Sequence, residues 1–137
     1  MLAAWNSVVA GFPVLLVQLA TTTVLFVIGV AIYVRLTPYR ELTLIRQGNV
    51  AAAITLSGQM LALAIPLGAM LAHSVNLPDI VLWGVVALIL QLIAFATAAV
   101  LVRDLRHAIE RGEIAPALVL ATAQIVAGIF NAAAMSG

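Results

Sequence analysis

The sequence predicts an all-α polytopic membrane protein: four transmembrane helices built as two parallel-repeat helical hairpins, with a short interfacial helix in the first charged loop. Three observations predict it. Of the 137 residues, 65% are hydrophobic and only 8% charged, and the mean hydropathy is +1.22, whereas a water-soluble domain is about half apolar and about a quarter charged. Four stretches, residues 12–34, 50–72, 80–102 and 114–134, carry no charge, and each reaches the ~20 residues that take a helix across a hydrocarbon core of roughly 30 Å. All six basic residues are arginines, and they fall in two of the three connections between those stretches. The length is that of one domain, residues 1–137, holding all four spans.

Residues 1–11, "MLAAWNSVVAG", are too short to span and are expected to lie along an interface with Trp5 as anchor. The first span reads as a retained anchor, because no basic residue precedes it and no short apolar core ends in an A-x-A site. The first loop, "RLTPYRELTLIRQGN" over residues 35–49, holds half of the arginines. It predicts a short interfacial helix over residues 37–48, with Thr37 as N-cap and Pro38 at the first helical position, where a missing N–H costs nothing. Leu42 and Ile45 are expected on one face near Tyr39, with Arg40 and Glu41 pointing elsewhere. Gly48 suits a left-handed stop and Asn49 a cap for the next helix.

Pro66 in the second span lacks an N–H and is expected to kink or loosen that helix and to free a carbonyl. "HSVNLPD" (residues 73–79) follows, where Pro78 and Asp79 suit the first turn of the third span and Trp83 the interface belt. "RDLRHAIERGE" (residues 103–113) reads as a polar turn that ends at Gly112. Its Arg106 and Glu110 are four apart and can pair, and its charges cancel, so no polybasic lipid patch is expected.

Basic residues accumulate in short cytoplasmic loops, and here the two arginine loops must share one side. Both termini are therefore expected on the outer side. "IRQGNVAAAITL" (45–56) and "IERGEIAPALVL" (109–120) superpose without a gap, which motivates the repeat. Small residues such as those of "NAAAMSG" permit close helix approach, within the protomer or between copies, so a homo-oligomer is expected.

Each span carries one glutamine, and Gln59, Gln91 and Gln124 fall near the midplane, with Asn131 toward the outer end of the last span. Two readings stand: a polar path for a small solute, or amides bonding between helices. The spans hold no ionisable group, which makes a proton-coupled pump hard to build. There is no cysteine, so disulfides, thiolate chemistry and cysteine zinc sites are excluded. His73, Ser74 and Asp79 can be drawn as a hydrolytic set, but loop polarity accounts for them. His73 and His107 are expected on opposite sides and cannot share a metal. No phosphate-loop, heme or dinucleotide motif is present, so neither an enzyme nor a cofactor is expected. A net charge of +1 leaves no broad footprint for nucleic acid.

"YVRLTPYRELTLIRQGNVAAAI", "HSVNLPDIVLWGVVALILQLIAF" and "GIFNAAAM" resemble the YjfL family of small bacterial inner-membrane proteins, a domain of unknown function. The resemblance places Thr37, Pro38, Leu44, Ile45, Asn49, Ala51, Pro66, Ser74, Val75, Asp79, Trp83, Gly84, Gln91, Gly128, Asn131 and Met135 at the family's signature positions. It implies four spans, a bacterial plasma membrane, often two copies of a helical hairpin, and genomic company with envelope-stress proteins and polyamine-related enzymes. It supplies no catalytic residue. The expectation is a non-enzymatic oligomeric membrane subunit or scaffold in the lipid bilayer, linked to envelope stress, that presents Arg40, Glu41 and Arg46 to a cytoplasmic protein. The alternative is a channel or carrier for a small or neutral solute along Gln59, Gln91, Gln124 and Asn131.

Overall fold

The computed structural model of the chain describes residues 1–73 and 76–136. In chain order the helices are α1 (Leu2–Leu36), α2 (Glu41–Arg46), α3 (Val50–His73), α4 (Leu77–Leu101), α5 (Leu105–Glu110) and α6 (Ile114–Ser136). Helices α1, α3, α4 and α6 are long and apolar enough to cross a membrane. The short α2 and α5 sit at the same end of the bundle, with all six arginines in or beside them.

Three boundaries differ from expectation. Residues 1–11 are not a separate interfacial segment: α1 runs unbroken through them and through Pro13. Nothing polar caps or stops a helix there, and Pro13 removes only one backbone donor. At about 1.5 Å per residue, this helix is about 52 Å long. In the first loop, α2 is shorter than residues 37–48. Thr37 ends α1 instead of starting α2, in the extended conformation that the following Pro38 favours (φ −66°, ψ 141°). Its Oγ1 lies 2.9 Å from the Val34 carbonyl and 3.2 Å from that of Tyr39. In the second loop, the expected polar turn contains a helix, α5, before Gly112.

Each short helix ends in the same way. Gly48 and Gly112 adopt left-handed backbone, φ +83° and +75°, where a Cβ would be strained. The Gly48 and Asn49 N–H groups donate back to the carbonyls of Ile45 and Leu44, both at 2.9 Å. Those of Gly112 and Glu113 donate to Ile109 and Ala108, both at 3.0 Å. Asn49 then caps α3 as expected, its Oδ1 accepting from the Ala52 N–H at 3.0 Å. Its Nδ2 donates across to the Ile109 carbonyl at 2.8 Å, tying the start of α3 to α5.

Helices α3 and α6 form the closest pair. A Cβ on Gly58 would stand 2.5 Å from the Ala121 Cβ and 2.8 Å from its Cα, and one on Gly128 would stand 2.5 Å from the Ala62 carbonyl oxygen. Pro66 has no N–H to offer that carbonyl, so the oxygen freed by the proline is the one that Gly128 covers. Helix α4 packs against both members of this pair, and α1 packs against α3 and α4. Leu25 of α1 fills the space at Gly84 of α4, and Leu88 of α4 the space at Gly29 of α1. Tyr33 and Phe95 meet edge to face with ring centres 5.0 Å apart. In α1 only Thr22, Leu25, Gly29 and Tyr33 are buried, one stripe on its second half.

Because Gly58 and Gly128 face backbone atoms that cannot swing aside, Gly58→Ala and Gly128→Ala are each expected to destabilise the bundle by about 1–3 kcal/mol. Gly68→Ala, whose Cβ meets nothing within 4 Å, is expected to leave stability unchanged or slightly raised. Thermal unfolding of the three variants in lipid checks this ranking.

Candidate functional site

At the arginine end, α2 lies on the bundle with Glu41, Leu44 and Ile45 turned inward, and Leu42 turned out. This reverses the expected orientation of Glu41, which is 0% exposed and does not belong to an outer surface. The periodicity held the signal: positions 41, 44 and 45 stand in the i, i+3, i+4 relation of one helix face. Arg40 and Arg46 are exposed as expected.

The Glu41 carboxyl sits among hydroxyls from three segments. Tyr33 of α1 donates to Oε1 at 2.9 Å, and Thr55 of α3 lies 3.2 Å from the same oxygen. Tyr39, in the link between α1 and α2, is buried beside them. Burial pushes the carboxyl up to about 7, against the pull of the Tyr33, Thr55 and Tyr39 hydroxyls, which favour the ionised form. Burial also pushes the Tyr39 hydroxyl up to about 12, so it stays a neutral O–H at physiological pH. The bundle interior thus contains an ionisable group after all, supplied by a loop helix and not by a span.

Gln59, Gln91 and Gln124 are interior, Gln59 and Gln124 0% exposed and Gln91 1% exposed, whereas Gln18 of α1 is half-buried. Gln91 Nε2 donates to the Gln124 backbone carbonyl at 2.8 Å, joining α4 to α6. Both amide atoms of Gln59 and of Gln124 are buried without a hydrogen-bond partner. Asn131, 9% exposed, reaches the Ala87 carbonyl at 3.4 Å. It also lines a cleft of about 580 Å³ at the opposite end of the bundle, together with His73, Asn76, Asp79, Trp83 and Met135. Four residues that the family resemblance singled out, Asp79, Trp83, Asn131 and Met135, come together there although they lie on two helices.

Of the imagined hydrolytic set, His73 and Asp79 both line this cleft. His73 Nδ1 is engaged with the Ala69 carbonyl at 2.8 Å, Asp79 stands in the first turn of α4, where its own N–H is capped by Asn76, and Ser74 lies outside the described residues. His73 and His107 are at opposite ends, and among the described residues no group of three or more acidic, histidine or cysteine side chains is placed to hold a metal. The expected Arg106–Glu110 pair forms, at 3.1 Å on an exposed face.

Residues 7–135 match the family model described as Domain of Unknown Function (DUF350). The chain is 37% identical over 118 residues to the UPF0719 inner membrane protein YjfL of Escherichia coli (strain K12), covering 81% of this chain and 89% of that protein. The same figures hold for the protein of that name in Escherichia coli O157:H7. No solved structure matches. A family model that covers nearly the whole chain, with these relatives and four helices fit to span a membrane, makes this chain a member of the DUF350 family of inner-membrane proteins.

Proposed function

We propose that the protein is a non-enzymatic membrane subunit or scaffold that docks a cytoplasmic protein on its arginine end, with both termini on the outer side of the inner membrane. The observation that carries this reading is the Asn49 bond to the Ile109 carbonyl, which joins the two charged loops into one surface. Arg40 and Arg46 are exposed on that surface and form no ion pair among the described residues. A groove of about 380 Å³ runs between α2 and α5, lined by Tyr39, Arg40, Thr43, Gln47, Arg106 and Glu110. Exposed guanidinium groups beside such a groove suit carboxylates, which they bind in pairs of parallel hydrogen bonds. Glu41, being buried, does not line this groove.

Two further elements of the reading have support of their own. Ancestral duplication of a hairpin accounts for two six-residue helices ended by the same glycine turn and followed by the two parallel helices α3 and α6. Homo-oligomerisation has small outward-facing residues to use, Ala64 and Gly68 on α3 and Ala123 on α6. The family resemblance adds the setting of envelope stress.

A second reading, a channel or carrier for a small neutral solute, draws on the unmet amides of Gln59 and Gln124. Buried polar groups of this kind call for a partner, and water or a solute would supply it. Two measurements separate the readings. Particles extracted from native membrane without detergent are expected to contain a stoichiometric second protein that Arg40→Ala with Arg46→Ala removes; particles holding only copies of this chain would overturn the subunit reading. In liposomes, Gln59→Leu and Gln91→Leu are expected to leave solute flux at the background of empty vesicles, as wild type does. A wild-type flux that these substitutions abolish, with assembly intact, would establish the channel.

A further inference from the structure

Glu41 is the one acidic side chain that the fold removes from water. Asp79, Asp104, Glu110 and Glu113 are all exposed. The ion pairs among the described residues use Glu110 and Glu113, so no arginine neutralises Glu41. Every neighbouring segment contributes to its enclosure. From α1 comes the Tyr33 hydroxyl, from the link Tyr39, and from α3 Thr55. Phe95 of α4 and Leu105 and Ile109 of α5 complete the same buried cluster without bringing a charge into it. Arg35 and Arg40 remain exposed on the rim of a shallow cleft of about 320 Å³ that Glu41 also lines, so the aqueous phase at this end is close by.

Enclosure without a counter-ion indicates which form of the acid this cage suits. An ionised carboxylate needs donors at both oxygens. Oε2 has none, and the single Thr55 hydroxyl proton is shared between Glu41 and the Ala52 carbonyl at 3.0 Å. The neighbouring Tyr39 hydroxyl can accept from a protonated Oε2 or donate to an ionised one, so it is the burial of the acid with no cation beside it that favours the neutral form.

We propose that the Glu41 carboxyl is a proton-binding site: it holds a proton while α2 is seated on the bundle and gives it up to water at the arginine end when α2 lifts away. The step is a simple dissociation, leaving a carboxylate that water then solvates. The upward shift to about 7 agrees with it. Since the folded value lies above that of the free side chain, the stability that the group contributes is fully present below about 4.5 and is lost as pH rises through about 7. The site stands whichever partner the arginine end receives.

The test is the infrared carbonyl absorption of neutral carboxylic acid, recorded on the full-length protein in lipid vesicles between roughly pH 5 and pH 9, for wild type and Glu41→Gln. Wild type is expected to show an absorption with its midpoint near pH 7, the ratio of neutral to ionised acid changing about tenfold per pH unit, and Glu41→Gln is expected to lack it. Thermal stability of wild type is expected to fall as pH rises through that midpoint, while the glutamine variant, which keeps an uncharged side chain of the same shape, stays flat. Wild-type protein with no neutral-acid absorption near neutral pH would overturn the proposal, as would an absorption that persists in the variant. If the variant does not fold, the wild-type spectrum decides alone, because the other four acidic side chains are exposed to water.

Discussion

In a bilayer the lipid tails are as apolar as leucine, so nothing resembling the hydrophobic effect in water presses one helix on another; close packing and polar bonds between helices must do it. The contact of α3 with α6 meets that constraint. Gly58 and Gly128 let the two backbones approach until Ala121 and Ala62 fill the space where side chains would stand. Around this pair the other long helices are seated by the reciprocal fit of Leu25 at Gly84 and Leu88 at Gly29, and by the Gln91 bond to the α6 backbone. Pro66 belongs to the same arrangement: the carbonyl left without its helical donor is buried against Gly128, where a Cα–H can approach it.

The arginine end solves a different problem. Two loops must turn the chain around at the membrane surface, and each uses a six-residue helix stopped by a left-handed glycine. Asn49 then serves two helices at once, capping α3 and holding α5. Within this frame the Glu41 carboxyl is shut in with three hydroxyls and no cation. A buried ion without a counter-ion is costly, and neutralisation of the acid is the way such a group ordinarily avoids that cost.

Much of this was legible in the sequence. Charge-free runs of more than 20 residues located α3, α4 and α6 to within a few positions, because in lipid the backbone has no alternative to a helix. Gly48, Asn49 and the Arg106–Glu110 pair act through local geometry and were readable for that reason. The start of α1 was not, since an apolar run with one proline does not reveal whether its helix stops. Glu41 was misread because charge suggested solvent, although its spacing from Leu44 and Ile45 placed it on the inward face. The gathering of Asp79, Trp83, Asn131 and Met135 in one cleft depends on how α4 meets α6, which no local pattern encodes.

The length of α1 has a consequence for how the protein sits in its membrane. Its partners are 23 to 25 residues long, while α1 has 35, and no residue before Thr22 is buried against them. A bilayer whose hydrophobic thickness matches α3, α4 and α6 leaves the surplus of α1 to be accommodated by tilting or bending. Gly11 and Pro13 lie within that surplus, and proline is the commonest place for a helix to bend. Changes in lipid composition that thicken or thin the bilayer are therefore taken up by the N-terminal third of α1, while the packed bundle keeps its own geometry.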